Sequence, residues 1–125
     1  MNIPKNLKYA ATHEWLQVDG DKVTIGITDF AQKELGDLVF INLPNVDDEV
    51  AVDEAFADVE SVKAVSDIIS PINGVIYEVN EALMDAPELI NEDAYAAWIV
   101  KVKDVTGLEN LLDADQYADL ISKEG

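Results

Sequence analysis

The feature that most limits the fold of this chain is a succession of short β-prone segments separated by turn residues. These segments are rich in Val, Ile and aromatic residues, and Gly, Asn, Asp or Pro interrupts them. They cover residues 13–18, 22–27, 38–43, 55–60, 65–70, 74–79 and 97–102. Asp19-Gly20 predicts a hairpin turn between the first two segments, and Asn73-Gly74 predicts a second turn. Such spacing is typical of a β-sandwich or barrel.

Helical patterns are short and few. Thr28 is a suitable N-cap for a helix that would end at Gly36. Near the C-terminus, Leu108, Leu111 and Leu112 share one helical face, and a second helix is expected after Asp113, where apolar residues recur at helical spacing (Tyr117, Leu120 and Ile121). We therefore expect one mainly β domain over residues 1–125, with short helices that include a C-terminal helix.

Charge and composition exclude several classes of function. The chain has 26 acidic residues against 8 lysines and no arginine, which gives a formal net charge of −18. Such a surface repels nucleic acid and anionic membranes. The chain contains no cysteine, which excludes disulfides and thiolate metal sites, and His13 is its single histidine. An enzyme that acts on its own is therefore not expected, nor is a His-based metal site.

Lys63 is the only cation between Lys33 and Lys101. A two-residue turn at Val62-Lys63 would place it at the tip of a hairpin. One face of that hairpin would then pair Ser61 with Ala64, Val59 with Ser66 and Ala57 with Ile68, and the other would pair Glu60 with Val65, Asp58 with Asp67 and Phe56 with Ile69. An exposed lysine at such a tip is either a solubilising residue or an attachment point for a carried group.

Several separated motifs resemble the H-protein family of the glycine cleavage system, over nearly the full chain. The motifs occur at residues 7–9, 13–16, 26–32, 35–40, 60–64 and 70–74. The resemblance implies a barrel-sandwich hybrid of the lipoyl/biotinyl type. It also implies that Lys63 carries lipoic acid in amide linkage. A biotin carrier would be expected to have methionines beside its lysine, whereas Val62 and Ala64 stand here.

The family implies a non-catalytic shuttle with defined partners. The P protein, a glycine decarboxylase, would load the aminomethyl group of glycine onto lipoyl-Lys63. The T protein, an aminomethyltransferase, would then remove that group, and the L protein, dihydrolipoamide dehydrogenase, would reoxidise the dithiol. A lipoate ligase or transferase would attach the lipoyl group. We expect a monomer in the bacterial cytoplasm, or in the mitochondrial matrix if a presequence has been removed.

Two acidic residues match family positions that line a cleft for the carried group, namely Glu14 and Asp67. Carboxylates there would hold a protonated amine, and exclusion of water would protect it. The alternative is that both are solvated acids at strand ends. His13 is expected to have a structural or partner-facing role, and Trp15 and Trp98 are expected to be buried at strand positions.

One segment departs from the family pattern. The family usually shows Asn-x-x-Pro-Tyr-Gly-x-Gly-Trp before the last strand, whereas residues 91–98 lack the proline and both glycines and are one residue shorter. Since glycine is the residue that reaches positive φ most easily, we expect a different path for this loop.

The sequence is also compatible with three other functions. An H-like protein could donate its lipoyl group to 2-oxoacid dehydrogenase complexes instead. The chain could also be a binding module with an unmodified Lys63, or an enzyme in its own right.

Overall fold

A computed structural model describes residues 1–124 and shows two antiparallel sheets with short helices. The strands are β1 (Lys8–Tyr9), β2 (Glu14–Asp19), β3 (Lys22–Ile27), β4 (Leu38–Asn42), β5 (Glu49–Val50), β6 (Ala55–Ser61), β7 (Val65–Ile69), β8 (Asn73–Val79) and β9 (Val100–Thr106). The helices are α1 (Asp29–Leu35), α2 (Ala82–Asp85), α3 (Leu89–Glu92) and α4 (Ala114–Glu124), with a 3₁₀ turn at Leu108–Asn110. The expectation of a mainly β fold with a C-terminal helix is confirmed.

The nine strands form a large and a small sheet. The large sheet has six strands in the order β1-β2-β3-β9-β8-β5, and the small sheet has three in the order β4-β6-β7. Their inner faces share one buried apolar cluster, which includes Ile25 and Val102 from the large sheet and Ile41, Val59 and Ile68 from the small one. The small sheet is thus held rigidly against the large one, which fixes the position of its β6–β7 hairpin.

The two main helices begin and end as their sequences predict. The Thr28 hydroxyl accepts a hydrogen bond from the Ala31 N–H at 3.2 Å, and Gly36 ends α1 with a φ of 84°. At α4, the Asp113 carboxylate accepts from the Gln116 N–H at 2.8 Å, and the Gln116 side-chain oxygen accepts from the Asp113 N–H at 2.9 Å. This reciprocal cap starts the helix after Asp113.

Helix α4 packs on the outside of the large sheet through a second apolar cluster. Tyr117 stacks on Tyr9 of β1 with ring centroids 4.7 Å apart, and Ile121 packs in the same cluster with Trp15 and Phe30. No helix in the described part of the chain is long and apolar enough to cross a membrane.

The turn predictions need correction at two places. Asp19 is part of β2 and pairs with Lys22, so the hairpin loop is Gly20-Asp21, one residue later than expected, with Gly20 at φ 65°. Asn73-Gly74 is not a turn, because Gly74 lies inside β8 opposite Val50. A Cβ at Gly74 would come within 2.4 Å of Val102 Cγ1, so this glycine permits close packing between strands.

Two C-terminal assignments also shift. The last strand begins at Val100 and not at residue 97, because the Ala97 N–H is still bonded to the Asp93 carbonyl at the end of α3. Leu108, Leu111 and Leu112 do not form one helix. Only a 3₁₀ turn forms there, and Leu112 instead makes a β-bridge to Tyr9.

Candidate functional site

Lys63 lies in a tight turn that Ser61 closes. The Ser61 N–H donates to the Ala64 carbonyl at 2.8 Å, which confirms the two-residue turn Val62-Lys63. The Ser61 hydroxyl oxygen accepts from the N–H groups of Lys63 and Ala64 at 3.3 and 3.0 Å. These bonds stabilise a turn that contains neither Gly nor Asn.

The strand register below this turn agrees with the alternation of the sequence except at its base. The observed pairs include Asp58 with Asp67, Glu60 with Val65, and three others as expected. The predicted pairing of Phe56 with Ile69 is wrong, because Ile69 lies opposite Ala55. A bulge between Ala55 and Ala57 leaves Phe56 without a direct partner.

The Lys63 side chain is exposed and lies over the end of α1. A Cβ placed on Gly36 would lie 3.5 Å from Lys63 Cε, an ordinary contact distance, so the lysine stem runs alongside this glycine. The Val62 N–H donates to the Asp37 carbonyl at 3.0 Å and ties the turn to this segment. Lys63 makes no salt bridge with any residue in 1–124. Its ammonium group is therefore accessible to a modifying enzyme.

Asn91 supports the segment beneath the turn, a role that sequence analysis did not assign. Its side-chain amide donates to the Gln32 side-chain oxygen at 2.9 Å and to the Gly36 carbonyl at 3.0 Å, and its oxygen accepts from the Leu38 N–H at 2.9 Å. These bonds join the end of α1 to the start of β4. The only indication of this role in the sequence was that a polar residue begins the segment 91–98, which differs from the family pattern.

A cleft of about 270 Å³ lies between α1 and the β6–β7 hairpin. Its walls combine apolar and acidic side chains, and the lining residues are Thr12, His13, Ile27, Phe30, Ala31, Glu34, Leu35, Val59, Ser66, Asp67, Ile68 and Glu124. Lys63 does not line the cleft, but its stem lies next to Gly36, the residue that follows the lining residue Leu35, so a group attached to this lysine begins near the cleft.

Asp67 and Glu14 occupy different positions relative to this cleft. Asp67 is an exposed lining residue. Glu14 is only 2% exposed and does not line the cleft. Its carboxylate accepts from the hydroxyl of Thr12, which is a lining residue, and from the Ile69 backbone N–H. Burial raises the pKa of Glu14 from 4.5 to about 7, although these hydrogen bonds oppose the shift.

His13 connects the cleft to the C-terminal helix. Its Nδ1 lies 2.9 Å from the Tyr117 hydroxyl, and its Nε2 lies 3.2 Å from Glu124 Oε1. The Tyr117 hydroxyl is also 2.7 Å from the Thr28 hydroxyl at the start of α1. These contacts agree with a structural role for the histidine, because they hold α1 and α4 at the same end of the cleft.

The two tryptophans differ in burial and in their position relative to the strands. Trp15 is buried as expected, and its indole N–H donates to the Ala94 carbonyl at 3.0 Å. Trp98 is half-buried and precedes β9, so its expected strand position is wrong. The Lys101 ammonium lies 4.8 Å from the centroid of the Trp98 ring, which gives its exposed side a cation–π contact.

Residues 91–98, which lack the two glycines of the family pattern, follow a backbone path that does not need glycine. The Asp93 carboxylate accepts from the N–H groups of Tyr95 and Ala96 at 3.1 and 3.3 Å. No residue from 91 to 98, a stretch that the structure describes in full, has a positive φ. The loss of glycine therefore introduces no backbone strain here.

An exposed lysine at the tip of a hairpin, on two packed sheets and beside a cleft, defines a carrier domain of the lipoyl/biotinyl type. Comparison with known proteins supports this class. A crystal structure of a glycine cleavage system H protein from Mycobacterium marinum superposes with a TM-score of 0.90 at 42% identity, covering 96% of this chain and 99% of that one.

Sequence comparison gives the particular family. The family described as glycine cleavage H-protein matches residues 7–124. The glycine cleavage system H proteins of Bacillus licheniformis and Halalkalibacterium halodurans are each 54% identical, over 99% and 98% of this chain and 100% and 98% of their own lengths. The chain belongs to the glycine cleavage H-protein family, whose members are non-catalytic lipoyl carriers of that system.

Proposed function

We propose that this chain carries lipoic acid in amide linkage on Lys63 Nζ and shuttles the aminomethyl group of glycine between separate enzymes. The observation that carries the proposal is the accessible Lys63 ammonium, which is held at a turn closed by Ser61 and makes no salt bridge among residues 1–124. The P protein would load the group, the T protein would remove it and the L protein would restore the disulfide.

The residues around Lys63 fit such an attachment. The stem of the lysine passes over Gly36, and the Asn91 side chain holds that glycine in place by donating to its carbonyl. A lipoyl group bound there supplies a disulfide that accepts the aminomethyl group and electrons. The chain itself provides position and reach. Tethering raises the local concentration of the carried group at each partner.

Acidic residues at the cleft would retain a protonated amine. Asp67, Glu34 and Glu124 line the cleft, and Glu14 stands behind Thr12. A pKa near 7 means that ionisation of Glu14 is opposed by burial, so a cation nearby would favour the charged form. Arrival of the amine would thus strengthen the field that holds it. The apolar walls limit the access of water.

The surrounding charge and the relatives bear on partners and location. A net charge of −18 favours docking on basic surfaces around the active sites of the partners, and lipoylation would remove one further cation. The relatives reported above are bacterial, so we place the cycle in the bacterial cytoplasm, with residues 1–125 acting as one monomeric carrier domain.

Intact-mass measurement of the protein from its own source tests the attachment. We expect a lipoyl increment on Lys63 and none on Lys63→Arg. An unmodified native protein would contradict the proposal and favour a plain binding module. Reconstitution with P, T and L proteins and labelled glycine then distinguishes glycine cleavage from lipoyl donation to 2-oxoacid dehydrogenases. Absence of label transfer would favour donation.

The role of the cleft has a separate test. The loaded carrier with Glu14→Gln and Asp67→Asn should release its amine faster than the wild-type carrier. Asp58→Asn is a matched control, because Asp58 pairs with Asp67 across the hairpin but does not line the cleft. An unchanged release rate in the double variant would remove the cleft hypothesis and leave the attachment intact.

A further inference from the structure

The tip of the small sheet exposes an unusual amount of apolar surface around Lys63. Val62 and Val65 are 68% and 69% exposed, and Phe40 of β4 is 48% exposed. Phe40 lies opposite Glu60, and Glu60 lies opposite Val65. Directly paired residues share a face of the sheet, so Phe40, Glu60 and Val65 form one row across its three strands. We call Phe40, Val62 and Val65 the tip patch.

Val62 and Val65 are more than two-thirds exposed, so the fold gains little from their apolar side chains, whereas Phe40 is about half covered. The row lies on the outer face, opposite the buried Ile41 and Val59. Threonine would satisfy the β-propensity of such positions and remain soluble. Exposed apolar residues grouped on both sides of a functional group are typical of a protein contact. The patch surrounds Lys63, the one cation at the tip of this sheet. This position indicates which partner protein the patch contacts.

We propose that the tip patch is the docking surface for the enzyme that attaches the lipoyl group to Lys63. This inference rests on the proposed attachment and adds the surface that the attaching enzyme recognises. During attachment, the neutral Lys63 amine attacks the carbonyl carbon of lipoyl adenylate, whose leaving group is AMP. The amide C–N bond forms, the bond to the leaving group breaks with its electron pair, and the amine loses one proton. No group is oxidised or reduced.

The reach of the reacting group favours this partner over the P, T and L proteins. Before attachment, only the lysine stem separates the nucleophile from the turn, and that stem lies along Gly36. The attaching enzyme must therefore cover the turn and touch its immediate neighbours. After attachment, the arm adds a full acyl chain, so later partners can act with a wider gap between surfaces.

The charges around the patch specify the chemistry of the matching surface. Glu60 lies at the centre of the row. Asp37 lies beside Val62, because its backbone carbonyl accepts a hydrogen bond from the Val62 N–H. The partner is thus expected to present an apolar contact bordered by Lys or Arg. The same features oppose a second copy of this chain, because its own tip would bring like charges together.

The test measures attachment kinetics with substitutions that keep the fold. Val62→Thr/Val65→Thr is compared with Val18→Thr/Val52→Thr, which makes the same chemical change at two exposed apolar residues outside the tip patch. Purified lipoate ligase, lipoate and ATP supply the lipoyl adenylate, and intact mass gives the rate. We expect kcat/KM to fall about tenfold or more for the tip variant, at unchanged thermal stability, and to stay within about twofold for the control.

The outcomes separate this inference from the proposed function. If wild-type protein gains no lipoyl mass on Lys63, the attachment itself is wrong. If the wild type is modified and the tip variant is modified equally fast, only the docking proposal is overturned. A loss that appears solely in transfer by the P protein, with prelipoylated variants, would likewise overturn it and assign the patch to that partner.

Discussion

The buried carboxyl of Glu14 makes a measurable prediction about stability. In the folded protein its pKa is about 7, whereas an exposed glutamate titrates near 4.5. Between these values the folded chain binds more protons than the unfolded chain. The free energy of unfolding therefore falls as pH rises through this window. Above pH 7 the full free-energy cost of burying the ionised carboxylate is present. At about 1.4 kcal/mol per pKa unit, that cost is about 3 kcal/mol.

Glu14→Gln removes this titration and keeps the shape of the side chain. The difference in unfolding free energy between the variant and the wild type should be about 2 kcal/mol larger at pH 8 than at pH 5, in favour of the variant. Urea unfolding, followed by the fluorescence of the buried Trp15, measures the change at both pH values and constant ionic strength. With a typical urea dependence, the gain corresponds to a midpoint shift of about 1 M.

The comparison between variants removes the contribution of the other acidic groups. Glu49→Gln is the matched control, because it makes the same chemical change at an exposed position on β5. If wild type and Glu14→Gln keep the same difference in stability at pH 5 and pH 8, Glu14 does not titrate near neutrality. The reasoning about its role at the cleft would then lose its electrostatic basis.

Three substitutions test the contacts that position the site, each by thermal unfolding. Gly26→Ala should cost about 1–3 kcal/mol, because its Cβ would meet the Trp15 ring at 2.6 Å. Asn91→Ala should cost about 2–3 kcal/mol, since Leu38 N–H and the Gly36 carbonyl lose their partner. Thr28→Val should cost about 1–2 kcal/mol by removing the cap of α1 and a partner of Tyr117.

Each of these three predictions would be contradicted by a specific result. A Gly26→Ala protein as stable as wild type would mean that Trp15 can move without loss of packing. Asn91→Ala at wild-type stability would show that water replaces the amide. For Thr28→Val, an unchanged melting temperature would indicate that α1 does not depend on its cap.

The hairpin around Lys63 could be predicted because its information is local. The alternation of apolar and polar residues fixes which side chains share a face, and this alternation gave the correct pairs from Ser61–Ala64 down to Ala57–Ile68. It fails at Phe56, because a bulge adds a residue to one strand without changing the local pattern. Helix caps at Thr28 and Asp113 were equally local and equally clear.

Features that depend on distant parts of the chain were not predictable in the same way. Glu14 is buried in the folded chain and accepts a hydrogen bond from Ile69 of β7, and nothing near residue 14 in sequence indicates either feature. The role of Asn91 depends on contacts 53 to 59 residues away. Gly74 belongs to a familiar turn dipeptide, yet it lies inside β8 opposite Val50, and the Val102 side chain leaves no room for a Cβ there. Strand β9 begins late for a similar reason, since the end of α3 holds Ala97.

The compact two-residue bend at Lys63 has a practical consequence for protein chemistry. Trypsin cleaves after lysine and binds an extended stretch of substrate, so a bend tied by Ser61 should resist it in the native state. Once the chain is unfolded, Lys63 is the only cleavage site between Lys33 and Lys101. Acylation blocks that site. Digestion under denaturing conditions therefore leaves the peptide 34–101 whole in proportion to the acylated fraction, which gives a direct gauge of occupancy.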